Sequence, residues 1–270
     1  MKIYCLSIHN KHYNFFKKYH LTPVGLGNNL FDNKWIDDKG FINISEKNKN
    51  FGEYTFHYSL WKNGDLDKID EEWIGFCTYR RFWVKKNIRY PQSISELGSS
   101  IINKTPKEWK NYETILANPI RPGKQKIMKI IKNNFLYAIK KPKVFFKENS
   151  IEDHFNIFHE PFFLEEALEL LNPNLKKGFK EYLQSYEFNP HNLFICKNVK
   201  LLKEFYSVIF PWIFKCEKKF QHLNLNTYGK KRIYGFLAER FMPFWFRKNS
   251  KVLEWPYIFF DTNMVKKKIY

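Results

Sequence analysis

Acidic residues are in short supply: 27 Asp and Glu stand against 46 Lys and Arg, a formal net charge of +19 over 270 residues. An imbalance of that size favours an anionic partner, and its sign alone does not choose among nucleic acid, a membrane surface and a phosphorylated small molecule. Cysteine is scarce as well. Cys5, Cys77, Cys196 and Cys216 are far apart and form no Cys-x-x-Cys pair. Buried free thiols are therefore expected rather than disulfides or a zinc site, which fits a reducing cytoplasm. No window reaches the roughly eighteen consecutive apolar residues that span a bilayer. The strand-like run beginning at Lys2 lacks the long apolar centre of a signal peptide, so any membrane contact is expected to be peripheral. Internal repeats and low-complexity linkers are missing, which favours one domain over 1–270. RNP, KH and zinc-finger patterns are missing too. Their absence counts against the alternative of a basic protein that binds single-stranded nucleic acid on stacked aromatics.

What the chain has in plenty is aromatic side chains, 28 Phe, 16 Tyr and 8 Trp, which excludes a disordered chain. The apolar run Trp73–Cys77, bounded by the polar stretch 65–72, reads as a strand buried on both faces, and it ends at Arg80 and Arg81. In an open α/β sheet ligands sit outside the carboxyl ends of such strands. Two guanidinium forks there suit a diphosphate, since each can pair with phosphate oxygens through parallel N–H bonds; the plainer alternative is a surface turn. Strands are also expected at Lys2–Ile8, at 112–117, at Asn192–Lys197 and at Trp255–Phe260. Pro23 makes 21–27 an edge or a loop. Asn43 with Glu46, or Ser45, opens a helix predicted to run to Asn63, where Gly64 stops it. Further helices are expected over 151–171 with a break at Pro161, over 175–185, and over 199–219 with a kink at Pro211.

Two stretches carry charge in unusual company. Between Arg121 and Lys147 there are nine basic residues and no acid, and Met128, Ile131, Phe135 and Ile139 recur among them at helical spacing. Such a helix can lie in an anionic membrane interface, or it can dock on the domain with its lysines in water. In the apolar helix around 232–244, Glu239 and Arg240 lie on or beside the core face. They form either a structural ion pair or a catalytic carboxylate with its partner. His154 and His159 do not have the i, i+4 spacing of a helical zinc pair.

Four motifs stand in order: Asn43–Asn48 (NISEKN) leading into 52–63 (GEYTFHYSLWKN), 74–82 (IGFCTYRRF), 189–197 (NPHNLFICK) and 232–240 (RIYGFLAER). Together they resemble the bacterial polysaccharide glycosyltransferases of glycosyltransferase family 111, formerly a domain of unknown function from capsule and O-antigen clusters. The similarity runs from His9 to about residue 255. The chain departs from the family pattern at Thr78, where a His is usual, and at Leu193, where a Met is usual. The resemblance implies an α/β fold, a GT-A-like, Rossmann-related sheet flanked by helices with a helical C-terminal half. It implies inverting transfer of galactofuranose or a related furanose from a UDP-sugar donor to a lipid-linked capsular or O-antigen polysaccharide at the inner face of the cytoplasmic membrane. The basic segment 120–149 would be an insertion facing that membrane.

By position in the family motifs, Arg80 and Arg81 are expected to neutralise the diphosphate, with a divalent metal (Mg or Mn) left open. Glu239 ranks first and His159 second as the base that takes the acceptor proton. His9, Lys47, Asn48, Glu53, Tyr79, Asn192, Arg232 and Arg240 are expected at the substrates. No residue set for a metal is assigned.

Overall fold

A computed structural model describes residues 1–123, 127–226 and 230–262. The chain begins as a strand–helix alternation. β1 (Lys2–Ser7) passes through α1 (Tyr13–Lys18) to β2 (Leu21–Gly25), which runs parallel to it with Pro23 opposite Cys5. Pro23 is accommodated because the outer neighbour, β3 (Ile36–Asp37), meets β2 only at Val24 and Gly25.

The helix predicted over 43–63 is not one helix. A 3₁₀ turn at Ser45–Lys47 runs into α2 (Asn48–Phe51), Gly52 interrupts, and α3 (Tyr54–Lys62) follows. Asn43 makes no capping box; its Oδ1 instead accepts from the Ser45 N–H at 3.2 Å and the Ser45 hydroxyl at 2.9 Å. Gly52 adopts φ 59° and ψ −135°, a conformation essentially confined to glycine, and a Cβ there would stand 2.5 Å from Nη2 of Arg232. The break turns the backbone so that Glu53 heads α3.

β4 (Ile74–Thr78) lies parallel to β1 on the side away from β2. Tyr79 and Arg80 form a tight turn, and β5 (Arg81–Trp83) comes back antiparallel with Arg81 opposite Thr78. Then follow α4 (Ile94–Ser100), capped by the Ser93 side chain, and β6 (Thr114–Ala117). α5 (Ile127–Lys140) bends at Asn134, where φ −156° and ψ 74° leave the helical region. The helix expected over 151–171 divides near Pro161 into α6 (Ile151–Phe158), with a Ser150–Asp153 capping box, and α7 (Phe163–Glu169). After α8 (Pro173–Leu183), β7 (Phe194–Cys196) enters antiparallel between β4 and β6. α9 (Val199–Phe220) continues through Pro211, and α10 (Ile233–Asn249) packs beside it. The run Trp255–Phe260 is not one strand. β8 (Val252–Trp255) joins β6 in parallel, the chain turns at Pro256, and β9 (Tyr257–Phe259) pairs with β5.

The sheet order is β3-β2-β1-β4-β7-β6-β8, with β5 and β9 off this path. The chain leaves β1 on one side and returns as β4 on the other, which opens a crevice at the carboxyl ends of these strands. Side chains alternate across β1. Tyr4 and Leu6 pack with the helices of the C-terminal half, and Ile3 and Cys5 pack with Trp73, Trp83 and Trp109 on the opposite face. The architecture is the α/β sheet with a helical C-terminal half that the sequence implies. All four cysteines are buried free thiols. Among the described residues no helix is long and apolar enough to cross a membrane.

Candidate functional site

A cleft of about 150 Å³ opens where the strand ends meet. Leu6 and Ile8 from the end of β1 and Leu26 from the end of β2 make one apolar side. Thr78, Tyr79, Arg80 and Arg81 come from the β4–β5 turn, Glu53 from the head of α3, His191 and Asn192 from the approach to β7, and Arg232, Gly235, Phe236 and Glu239 from the start of α10. Three neighbouring polar groups on the β4–β5 turn have no protein partner although their atoms are buried: the Thr78 hydroxyl and the Nε atoms of Arg80 and Arg81. Such orphans are rare in native structures and call for an explanation. Tyr79 is sandwiched by its neighbours, with the Arg80 guanidinium 4.9 Å above its ring and the His9 ring edge-on at 5.1 Å. Burial and the adjacent Arg80 charge together push the pKa of Arg81 down from its usual value.

The remaining charges are neutralised in pairs. Glu53 accepts from the Arg232 guanidinium and, at 2.9 Å, from the Asn192 amide, which also reaches the Gly235 carbonyl at 3.2 Å. The Tyr54 hydroxyl closes this network by donating to Oδ1 of Asn192 at 3.3 Å. Glu239 accepts from the His191 backbone N–H and from the guanidinium of Arg240. Arg240 in turn lies 4.1 Å over the Phe188 ring and 3.2 Å from Nδ1 of His154. Burial alone would raise the Glu239 pKa, but Arg240 and His191 together outweigh it and hold the carboxyl down at about 2. The His191 imidazole, 3.8 Å from Glu239 through Nδ1, is lowered to about 4. Burial is the larger cause and the Arg81 charge contributes, against the pull of Glu239.

Backbone strain concentrates here. His191, Asn192 and Arg232 all have positive φ, at 71°, 53° and 65°. A left-handed Arg is costly, and residues held so tend to cluster at functional sites.

Of the residues singled out in the sequence, Glu53, Tyr79, Arg80, Arg81, Asn192, Arg232 and Glu239 line this one cleft. Asn192 precedes β7 in a left-handed turn instead of opening the strand. Arg240 stands behind Glu239, and His9 behind Tyr79. His159 is not in the lining; its ring stacks at 4.1 Å on Phe236, which is. Lys47 and Asn48 are directed elsewhere. Lys47 pairs with Glu217 at 2.8 Å, and the Asn48 amide donates to the Gly52 carbonyl at 2.8 Å and the Thr55 hydroxyl at 3.2 Å. Sequence reasoning missed His191, although the Asn189–Asn192 turn was in view. It also missed Asp38, a fully buried carboxylate that receives the Gly27 N–H at 3.0 Å and the Thr55 hydroxyl at 2.5 Å, fixing the loop after β2 against α3. No local pattern marks either.

The donor set does not fit a resident divalent ion. Both carboxylates of the cleft are already paired with arginine and with an amide or backbone N–H. Among the described residues no group of three or more His, Cys, Asp or Glu is assembled for a metal.

A central α/β sheet flanked by helices, with an arginine-lined cleft at the carboxyl ends of its parallel strands, defines a fold class in which ligands characteristically sit at the topological switch point. Within it the chain belongs to the family described as Domain of unknown function (DUF4422), whose profile matches residues 2–250. The fold is similar to that in the apo structure of the bifunctional glycosyltransferase WbbM, with a TM-score of 0.62 at 18% identity over 97% of this chain. The chain spans 45% of that protein, and at this identity the likeness is one of fold. No curated protein sequence matches the chain.

Proposed function

We propose that the chain is a glycosyltransferase that moves a sugar from a nucleoside diphosphate donor to a glycan hydroxyl. One observation carries the reading: Thr78, Arg80 and Arg81 line the cleft together at one end of a parallel sheet, and each holds a buried donor without a protein partner. Two guanidinium groups brought together without a carboxylate partner suit an ionised diphosphate, toward which small side-chain shifts would turn those donors. The enclosed volume of about 150 Å³ is below the ~300–1,000 Å³ of a pocket that swallows a whole ligand. It suits the diphosphate and sugar, with the nucleoside extending outward past the exposed Ile8. Family and fold likeness point the same way. The narrower form of the proposal is the one that the resemblance to glycosyltransferase family 111 suggests. It has UDP-galactofuranose or a related UDP-furanose as donor, a lipid-linked polysaccharide as acceptor, and inversion at the anomeric carbon within one domain.

In this mechanism the acceptor oxygen bonds to the anomeric carbon as the bond from that carbon to the diphosphate oxygen breaks. The electron pair leaves on the diphosphate, where Arg80 and Arg81 meet the developing charge. The acceptor proton needs a base. Glu239, held at about 2 with both oxygens engaged, is a weak one, since an effective base titrates near the working pH. His191 suits the role better. It is neutral, it lines the cleft, and Glu239 stands 3.8 Å from its Nδ1 to stabilise the imidazolium. A bound diphosphate offsets the Arg81 charge, a lesser cause of the depression than burial, so loading the donor moves the base upward from about 4. Glu239 then acts through His191 and not on substrate, and His159 supports the Phe236 wall.

The aromatics that allowed a nucleic-acid alternative are largely spent on the core; none of the eight tryptophans is exposed. The deciding experiment is a thermal shift with UDP, uridine and single-stranded RNA, followed by product analysis with UDP-pyranoses and UDP-furanoses. Stabilisation by UDP but not by uridine is expected. No response to millimolar UDP would end the narrower form of the proposal, and none to GDP, ADP, CDP or dTDP either would end the broader one.

A further inference from the structure

Several apolar side chains of the helix in the basic segment stand in water; Ile131 of the expected stripe lies outside the described side chains. Met128, Phe135, Leu136 and Ile139 of α5 are 76%, 53%, 68% and 58% exposed, and Phe146 just beyond is 73% exposed. The opposite side of the same helix is anchored. Tyr137 and Ala138 are buried against Val144 and Ile157, the Tyr137 hydroxyl donates to Asp153 at 2.7 Å, and the Asn134 amide reaches the Asn156 carbonyl at 2.7 Å. This part of the helix is thus docked on α6 through a small core while Phe135, Leu136 and Ile139 face outward. Around them the sequence places nine basic residues and no acid between Arg121 and Lys147. Lys141 is tied to Glu152 and Glu165 at 3.6 Å each, whereas no ion pair engages Lys143 or Lys147 among the described residues.

We propose that α5 and the turn through Phe146 form a docking face for an anionic lipid bilayer. Exposed Phe, Leu, Ile and Met side chains on a lysine-rich segment can sink their apolar tips among acyl chains, while the ammonium groups stay among anionic headgroups. The segment is coupled to the cleft through α6. His154 of α6 lies 3.2 Å from Arg240, and His159 just after it stacks at 4.1 Å on the cleft residue Phe236. Docking would hold the cleft at a set height above the lipid surface, where the head of a lipid-linked acceptor emerges. That consequence rests on the transferase reading, whereas the docking face itself does not.

The test is co-sedimentation of the full chain with vesicles of phosphatidylcholine alone, or of phosphatidylcholine and phosphatidylglycerol in equal parts. Binding to the anionic vesicles only, weakened by salt, is expected. The triple variant Phe135→Ser, Leu136→Ser, Ile139→Ser should lower the partition constant by about a hundredfold or more. Lys143→Gln and Lys147→Gln should each lower it by about fivefold. All these side chains are outside the core, and an unchanged UDP thermal shift reports that each variant is folded. No vesicle binding, equal binding to neutral vesicles, or wild-type binding by the triple variant would overturn the proposal. So would a dimer, seen by sedimentation equilibrium without vesicle binding, that the triple variant abolishes, since the face would then belong to a second copy. Vesicle binding without any response to UDP or to the other nucleoside diphosphates would sink the transferase reading and leave the docking face standing.

Discussion

Arg81→Met separates what the cleft costs the fold from what it contributes to binding. In the native chain the Arg81 guanidinium is partly desolvated, stands beside Arg80 with no ion pair among the described residues, and leaves a buried Nε without a partner. An unsatisfied buried donor costs about 1–3 kcal/mol. Against that, Arg81 lies 5.5 Å from the Phe259 ring, a contact worth about 0.5–1 kcal/mol that a methionine stem keeps in part. The variant should therefore be more stable than the parent by about 1 kcal/mol without ligand, a rise in Tm of roughly 2–4 °C for a chain of this size. With UDP the order reverses. A hundredfold excess of UDP over Kd stabilises the parent by about 2.7 kcal/mol. Loss of a charged hydrogen bond to phosphate removes about 1.5–3 kcal/mol of binding, so the same UDP concentration leaves the variant about 0.3–1.3 kcal/mol. Scanning fluorimetry across a UDP titration should show the two melting curves cross. A variant that melts lower than the parent without UDP, yet keeps the full UDP shift, would refute the reasoning.

Glu239→Gln should be far more damaging than its position on a helix suggests. It leaves Arg240, 2% exposed, as an uncompensated buried charge at a cost of about 3–5 kcal/mol, and urea denaturation should show part of the loss restored by adding Arg240→Met. The chain should also be acid-labile. His57 and His191 titrate at about 3 and about 4 against 6.5 in the unfolded chain, mainly through burial. Below pH 6.5 the unfolded state binds protons that the native state refuses, so stability falls as pH drops toward 4, by up to about 3 kcal/mol per pH unit for the two together. A Tm that is flat from pH 6.5 to 4 would contradict this. Gly52→Ala should cost about 2–3 kcal/mol and abolish the UDP shift, because its Cβ would meet Arg232 at 2.5 Å. Gly64→Ala, also at positive φ but with nothing within 4 Å of its Cβ, should cost only about 1 kcal/mol and leave the UDP shift intact.

The strands of the sheet were legible because their signal is local. Runs such as Lys2–Ser7 and Ile74–Thr78 are apolar on both faces, which only a covered sheet requires. The helix over 43–63 was misread because its break is not local. Gly52 is needed for the approach of Arg232, far along the chain, and no periodicity within α2 and α3 records that contact. The division of Trp255–Phe260 was readable in principle, since Pro256 inside a strand-like run marks a boundary. The outward stripe of α5 was half legible. Of the spaced residues Met128, Phe135 and Ile139 face outward and Ile131 lies outside the described side chains, but which side of an amphipathic helix meets protein depends on a core built with α6.

The site was legible in its charges and not in its turns. Glu239 and Arg240 looked like charges on a core face that need partners, and they pair with each other; Glu53 and Arg232, expected at the substrates, form a second pair. Their pairing gives the two remaining arginines their meaning. Once Glu53 answers Arg232 and Glu239 answers Arg240, Arg80 and Arg81 are the charges left at the strand ends, and on the proposed reading they would favour a negative ligand without a large cationic surplus in the cleft. His191 could not be found this way. Neutral and held at positive φ on a turn, it is placed by backbone geometry, with its N–H on Glu239 and its ring toward the cleft. A histidine on a turn reads the same in sequence whether it points to solvent or to a reacting hydroxyl. The difference lies in the carboxylate behind it, which α10 delivers from 48 residues further along the chain.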